Sequence, residues 1–167
     1  MSDKCIFITQ TDGSVHVVHP APEMFDPESR TRQDLASRGV LVDADDNMVM
    51  AFIASENVPP DLEYRFGTTA EIPADRTFRN AWKDGNGIEI DMPKAREIHM
   101  ERLRNERNQK LKEADVEFMK AVESGDSKKV QDVSAKKQTL RDMTANIDFS
   151  GINTPEELKN FVPKELK

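Results

Sequence analysis

The histidines and the cysteine are the residues of this chain best suited to chemistry, and their spacing argues against a shared site. His16 and His19 stand three positions apart in a predicted strand. Such positions lie on opposite faces, so the two imidazoles are not expected to share a metal unless the strand ends between them. His99 stands alone in a predicted helix. Cys5 is the only cysteine, which excludes an internal disulfide and a multi-cysteine zinc site, and its place at the start of a strand favours a buried residue over a nucleophile.

Two acidic segments begin like calcium-binding loops but lack the residues that complete one. The segment that starts at Asp43 has Met48 where the loop needs glycine and Ala54 where it needs a bidentate glutamate. The segment that starts at Asp84 has Ala95 at the glutamate position. Helix capping and turn formation account for both segments, so no bound metal is expected.

Sequence motifs of the common catalytic sites do not occur. The chain contains no Gly-x-Ser-x-Gly elbow, phosphate-binding loop, dinucleotide fingerprint or His-Glu-x-x-His motif. We therefore expect a protein that is not an enzyme, uses no cofactor and takes no small-molecule substrate. A metal-dependent enzyme is the alternative, which metal analysis of the pure protein would decide.

Two groups of residues have the composition of a protein interface. Phe78, Arg79 and Trp82 are close in sequence, and aromatic and arginine side chains dominate the energetics of interfaces. The alternative is that the aromatic residues anchor the core of a small domain. Arg104 and Arg107 lie among acidic residues at helical spacing, which indicates an exposed helix face. That face is either simply solvated or contacts a partner. These five residues form the candidate interface.

Length and composition limit the class of protein. The 167 residues suit one domain, or a small domain with an appended element. A content of 37 % hydrophobic and 33 % charged residues predicts a thin core. No segment approaches the roughly 20 apolar residues that a membrane span requires. The first five residues lack a signal-peptide core, so neither membrane insertion nor Sec-type secretion is expected.

The net charge of −7 is distributed unevenly along the chain. Residues 1–92 hold 8 Lys and Arg against 17 Asp and Glu, whereas residues 93–167 hold 16 against 14. An acidic first half repels the phosphates of nucleic acid, and the second half mixes both signs. No nucleic-acid partner is therefore expected.

The hydrophobic pattern predicts a small α+β docking domain over residues 1–91. Two β-branched runs around Asp12 and Gly13 predict a β-hairpin. A helix is predicted from an Asp26 cap to about Gly39. The other predicted elements are a helix at 46–56 and short strands at 40–42, 62–66 and 88–90.

The rest of the chain is predicted to be helical. Asp91 and Pro93 open a helix of about 30 residues, and Gly125 ends it. A second helix follows to about Met143, which gives an antiparallel helical hairpin over residues 92–145. Residues 146–167 form a tail in which a capping box at Thr154 predicts a short helix. The fold class is therefore α+β, with the small unit first, the helical hairpin next and the short helix last.

Five segments stand in a recognisable order along the chain. They are Val-His-Pro-Ala-Pro at 18–22, Ala-Glu-Ile-Pro-Ala-Asp-Arg-Thr-Phe-Arg-Asn-Ala-Trp at 70–82, Asp-Met-Pro-Lys-Ala-Arg-Glu-Ile-His at 91–99, Lys-Lys-Gln-Thr-Leu-Arg-Asp at 136–142 and Thr-Pro-Glu-Glu-Leu-Lys at 154–159. Together they resemble a family of small proteins encoded by tailed bacteriophages and prophages. The likeness covers nearly the whole chain, and the 70–99 block is its most specific part. It supplies no catalytic residue.

The resemblance implies a phage origin and a role in the virion. We expect a non-enzymatic structural protein of the tail, baseplate, fibre-attachment or neck region, made in the cytoplasm of the bacterial host. Its expected partners are other phage virion proteins, held by protein–protein docking in a symmetric ring or fibre. One alternative is a tail or fibre assembly chaperone that is absent from the mature particle. Another is an acidic host-takeover inhibitor that mimics DNA.

Overall fold

The computed structural model describes residues 3–145 and 147–167. The chain forms two compact units, Met1–Asp91 and Met92–Lys167. The first combines strands with helices and the second is helical, so the fold class is α+β as predicted. The C-terminal tail belongs to the same unit as the helical hairpin. Within the described residues, no helix is both long enough and apolar enough to cross a membrane.

The first unit is built on a three-stranded antiparallel sheet. β1 (Lys4–Thr9) is the central strand, with β2 (Val15–Val18) on one side and β3 (Glu63–Thr68) on the other. The predicted hairpin between β1 and β2 is confirmed. Asp12 accepts a hydrogen bond from the Ser14 N–H, and Gly13 adopts the positive φ that this turn requires.

Each face of the sheet buries its own apolar cluster, because successive side chains of β1 point to opposite sides. Ile6 and Ile8 pack against α2 (Asp46–Asn57), the predicted second helix. Cys5 and Phe7 pack instead against a hairpin formed by β4 (Trp82–Gly85) and β5 (Gly87–Ile90). The sequence predicted β5 but not its partner β4. The central strand is therefore covered on both faces.

The first helix, α1 (Arg30–Ser37), begins later than predicted. Its N-cap is Ser29, whose hydroxyl accepts a hydrogen bond from the Arg32 N–H. Asp26, the predicted cap, accepts a hydrogen bond from the Glu28 N–H. An aspartate side chain can cap a helix, or it can accept a hydrogen bond from the N–H two residues later and close a local turn. At Asp26 the turn is formed.

The strand predicted at 40–42 does not form. Leu41 and Asp43 have positive φ, which breaks an extended run. The buried guanidinium of Arg32 donates hydrogen bonds to three carbonyl oxygens around this segment, those of Met24, Leu41 and Ala44. An arginine on the neighbouring helix therefore takes up carbonyls that a strand would have offered to a sheet.

The second unit begins with α3 (Met92–Glu123), a helix of 32 residues. It turns at Gly125 into α4 (Ser127–Asp142), whose N-cap Asp126 accepts a hydrogen bond from the Lys129 N–H. The predicted helical hairpin is confirmed. Two ion pairs join the helices, Asp115 with Lys137 and Glu117 with Lys136, and four buried residues lie inside: Ala114, Ala121, Val133 and Leu140.

The tail of the second unit packs along α3. The predicted capping box at Thr154 is confirmed and opens α5 (Pro155–Asn160). His99 is buried on α3, with its Nε2 atom 2.9 Å from the carbonyl oxygen of Phe161. The rings of Phe149 and Phe161 meet the imidazole edge-on. The histidine that stood alone in the sequence is thus a packing residue between helix and tail.

Candidate protein-interaction site

A pocket of about 520 Å³ opens on the first unit beside β2. One side is formed by the strand and the residue that follows it: Val15, His16, Val17 and His19. The other side comes from the segment that leads into β4: Arg76, Arg79, Asn80 and Trp82. We call this the basic pocket. It brings together two of the predicted interface residues, Arg79 and Trp82.

Two arginines give the basic pocket a positive charge inside an otherwise acidic unit. Arg76 and Arg79 are both exposed. Within residues 3–145 and 147–167, neither guanidinium has a carboxylate partner. A guanidinium presents five N–H donors in a planar fork that matches a carboxylate or a phosphate. The pocket is therefore suited to an anionic group.

The two aromatic residues of the candidate interface are buried. Phe78 is 2 % exposed and Trp82 is 6 % exposed, and Trp82 belongs to the apolar cluster under β1. Both aromatic residues therefore pack in the core, as the alternative prediction states. Trp82 also forms part of the pocket wall, so one ring serves both core and pocket. Arg79 alone of the three is on the surface.

The outer edge of β2 runs along the basic pocket. In an antiparallel pair, alternate residues turn their N–H and C=O groups toward the partner strand. Gln10 donates its N–H to Ser14 across the turn, so the same alternation gives bonds between Ile8 and His16 and between Ile6 and Val18. Val15 and Val17 therefore point their backbone groups away from β1, and in the described chain only β1 pairs with this strand.

His16 and His19 were considered in the sequence only as metal ligands. β2 ends at Val18, so His19 lies outside the strand and is not forced onto the face opposite His16. Both imidazoles line the pocket. Among the described residues no three His, Cys, Asp or Glu side chains come together as a metal site. In the sequence, the only indication that these histidines line a pocket was that two polar residues stand within and beside an apolar strand. The sequence could not show the second wall of the pocket, because that wall comes from residues far along the chain.

Arg104 and Arg107, the predicted pair on the long helix, are placed differently from one another. Arg104 is exposed and forms a 3.5 Å ion pair with Glu101, one turn away. Arg107 donates a 2.7 Å hydrogen bond to the hydroxyl of Thr144 and another to the side chain of Asn108. The first fits the solvated-face alternative, whereas the second helps to hold the end of the hairpin.

A three-member ionic network in the first unit is structural. The guanidinium of Arg65 on β3 donates to both carboxylate oxygens of Asp84 and, at 2.8 Å, to Glu71. These bonds raise the pKa of Arg65, chiefly through Asp84, and Arg65 lowers the pKa of Asp84. The pKa of Glu71 is lowered first by the Thr68 N–H and then by Arg65. The network ties β3 to the β4–β5 hairpin, and its one cation is fully engaged by two carboxylates.

Cys5 is expected to react slowly in the folded chain. Burial, followed by the nearby charge of Glu71, raises the pKa of its thiol to about 11, and the side chain is fully buried. Because only the thiolate is nucleophilic, alkylation by iodoacetamide at pH 8 should be at least about 100-fold slower in the native chain than in urea. Mass measurement over time gives both rates. Equal rates would contradict the burial of Cys5.

The basic pocket thus combines a strand edge that pairs with no other strand, two guanidinium groups without a carboxylate partner among the described residues, and an aromatic wall. These groups can pair with a backbone, bind an anion and pack against an apolar side chain. No family model, curated protein or solved structure matches this chain.

Proposed function

We propose that this chain is a non-enzymatic docking protein of a tailed-phage virion, and that it holds a neighbouring virion protein through the basic pocket. One observation carries the docking role: in the part of the chain that the structure describes, an unpaired strand edge and two arginines without carboxylate partners line the same pocket. The phage assignment rests on the sequence resemblance. The 70–82 segment that carries much of that resemblance also supplies one wall of the pocket.

The side chains of the pocket favour binding over catalysis. Its walls contain arginine, histidine, asparagine, valine and tryptophan, and no carboxylate, thiol or hydroxyl group. Nucleophilic catalysis needs an activated nucleophile, and acid–base catalysis by histidine is commonly supported by an orienting carboxylate. The arginines supply charge complementarity instead, which sets the specificity and speed of association.

The second unit offers a further surface that suits an assembly protein. Val116, Met119 and Val122 are each more than half exposed, at three-residue spacing along α3. Ala114 and Ala121 on the same helix are buried. An apolar stripe beside the packed face indicates a helix that contacts another molecule. A chain with two contact surfaces can join two neighbours.

An assembly chaperone is the alternative, because it would use the same pocket on a tail or fibre protein and then leave. Mass spectrometry of gradient-purified particles separates the two functions. A virion subunit is expected at a reproducible copy number, relative to the major capsid protein, that fits a symmetric ring. Abundance in infected lysate with absence from particles would contradict the virion role and favour the chaperone.

A matched pair of variants connects the particle to the pocket. In a phage that carries the double substitution Arg76→Glu and Arg79→Glu, incorporation of the chain should fall about tenfold or more. Arg30→Glu, the control, reverses one charge at another exposed position of the first unit, half the charge change of the double variant, and should leave incorporation unchanged. If both phages incorporate the chain normally, the basic pocket is not the docking surface.

A further inference from the structure

We propose that the docking partner supplies an extended acidic segment, which adds to the sheet as a fourth strand along the outer edge of β2. Its backbone would pair with Val17, and its carboxylates would bind Arg76 and Arg79. This inference rests on the proposed docking function and specifies how the docking is made.

The hydrogen-bonding pattern of the sheet identifies the groups that such a strand would use. On the β3 side of β1, the carbonyl of Asp3 accepts a bond from the Thr69 N–H. Odd-numbered residues of β1 therefore bond β3 and even-numbered residues bond β2, in agreement with the Gln10–Ser14 pair. The outward N–H and C=O groups of Val17 are consequently available to an added strand, whereas Val15 is only 3 % exposed.

The charge at this edge selects the chemistry of the added strand. Arg76 and Arg79 line the same pocket as the two valines, so a strand that reaches the edge places its side chains beside them. Each guanidinium can take a carboxylate in a two-bond contact. The histidines at the pocket add donors but no negative charge. An acidic segment is therefore favoured over a neutral or basic one.

The other edge of the sheet differs in the features that matter. At the end of β3, the Thr68 N–H already donates to Glu71, and the Arg65 guanidinium is bonded to Glu71 and Asp84. An acidic strand arriving there would meet carboxylates instead of free cations. The exposed rings of Tyr64 and Phe66 make that edge apolar, but nothing there recognises an acid. Of the two edges, β2 is thus the one that fits an acidic strand.

A peptide is favoured over a nucleic acid because a strand edge offers alternating donors and acceptors. A polypeptide backbone matches that alternation, whereas a phosphodiester backbone offers acceptors only. The unit that carries the pocket is also strongly acidic, which opposes binding of a long polyanion. A short acidic segment meets the local positive charge without covering the rest of the surface.

The test uses the full chain and a fluorescent eight-residue peptide in which glutamate alternates with valine. Binding is measured by anisotropy at low salt, and amide exchange is measured at Val17. We expect saturable binding with slower exchange at the Val17 amide. Arg76→Glu with Arg79→Glu should weaken binding about tenfold or more, and Arg30→Glu should not. A peptide with glutamine in place of glutamate should bind correspondingly weakly.

A second peptide separates strand addition from simple charge attraction. N-methylation of alternate amides keeps every carboxylate but removes the N–H groups that pair with β2, and the protein itself is unchanged. We compare two isomers, one methylated at the odd-numbered amides and one at the even-numbered amides. We expect them to differ at least about tenfold in affinity, because only the edge of the peptide that faces β2 uses its N–H groups. Equal binding by both isomers would overturn strand addition.

Three other outcomes would also overturn the proposal. These are no binding at millimolar peptide, tighter binding by a single-stranded oligonucleotide at the same two arginines, and dimerisation of the chain that is lost in the arginine double variant. Each leaves the particle experiment unaffected, since the chain could still be a virion subunit that docks in another way. Conversely, strand addition confirmed in a protein absent from particles would support a chaperone that binds by the same mode.

Discussion

Replacing Arg65 by methionine is expected to lower the free energy of unfolding of the first unit by about 2–3 kcal/mol. The substitution removes four hydrogen bonds to carboxylate oxygens and leaves Asp84 and Glu71 without their shared cation. It also removes the guanidinium that lies 4.4 Å from the centre of the Phe7 ring. The loss is smaller than for a fully buried pair because the Arg65 side chain is 33 % exposed.

The measurement for Arg65→Met is urea unfolding followed by tryptophan fluorescence. Trp82 is the only tryptophan and belongs to an apolar cluster of the first unit, so its emission reports on that unit. Arg79→Met is the matched control, because its guanidinium has no carboxylate partner in the described structure. We expect the control to unfold like the natural chain. If the two variants unfold at the same urea concentration, the network does not stabilise the fold.

Replacing Gly67 by alanine is expected to cost about 2–3 kcal/mol for a steric reason. A Cβ atom at this position of β3 would overlap both the ring of Phe7 and a carboxylate oxygen of Glu71. Neither neighbour moves freely, since Phe7 is fully buried and Glu71 is held by Arg65 and the Thr68 N–H. Replacing glycine by alanine usually stabilises a protein slightly, because it lowers the conformational entropy of the unfolded chain. At Gly67 the overlap outweighs this gain.

Gly151→Ala is the control for Gly67→Ala. At Gly151 no atom lies within 4 Å of the added methyl group, so the same chemical change is expected to leave stability within about 0.5 kcal/mol of the natural chain. Combining Gly67→Ala with Glu71→Ala should recover only part of the loss, because the overlap with Phe7 stays. A Gly67→Ala chain that is as stable as the natural one would contradict the packing around β3.

Local signals predicted most of the individual elements. The Asp12–Gly13 turn and the capping box at Thr154 each satisfy backbone groups within a few residues, so the sequence alone specifies them. The end of α3 at Gly125 is specified in the same way. Predictions failed where two local solutions compete. Asp26 could cap a helix or close a turn, and only the packing around Arg32 decided which.

Long-range packing decided what the sequence could not show. The alternation of apolar and charged residues at 62–66 is typical of a strand whose apolar side is buried, but Tyr64 and Phe66 are 47 % and 42 % exposed. Arg65 is the residue that faces the interior, where Asp84 and Phe7 receive it. Charged residues usually point outward, so this inversion could be predicted only with knowledge of partners distant in sequence.

The candidate site was predicted in part for the same reason. Arg79 and Trp82 were selected by residue type, and they do line the basic pocket. Their partners on β2 were not selected, because pairing the 76–82 segment with residues 15–19 requires the three-dimensional fold. The free edge of β2 also depends on which strand takes the centre of the sheet, and strand order is not encoded in any single segment.

The strand order 2-1-3 also affects how the two units form as the chain is synthesised. β1 and β2 are neighbours in sequence, but β1 acquires its second partner only when β3 has been made. A two-stranded hairpin alone is marginal in water, so the β1–β2 hairpin, which ends at Val18, has to wait until β3 is complete at Thr68, 50 residues later. The α3–α4 hairpin needs only local contacts and can form quickly. The helical unit is made last, but it needs to find only contacts that are close in sequence. β1 is made first and waits longest for its partners, so its apolar side chains stay exposed longest during synthesis.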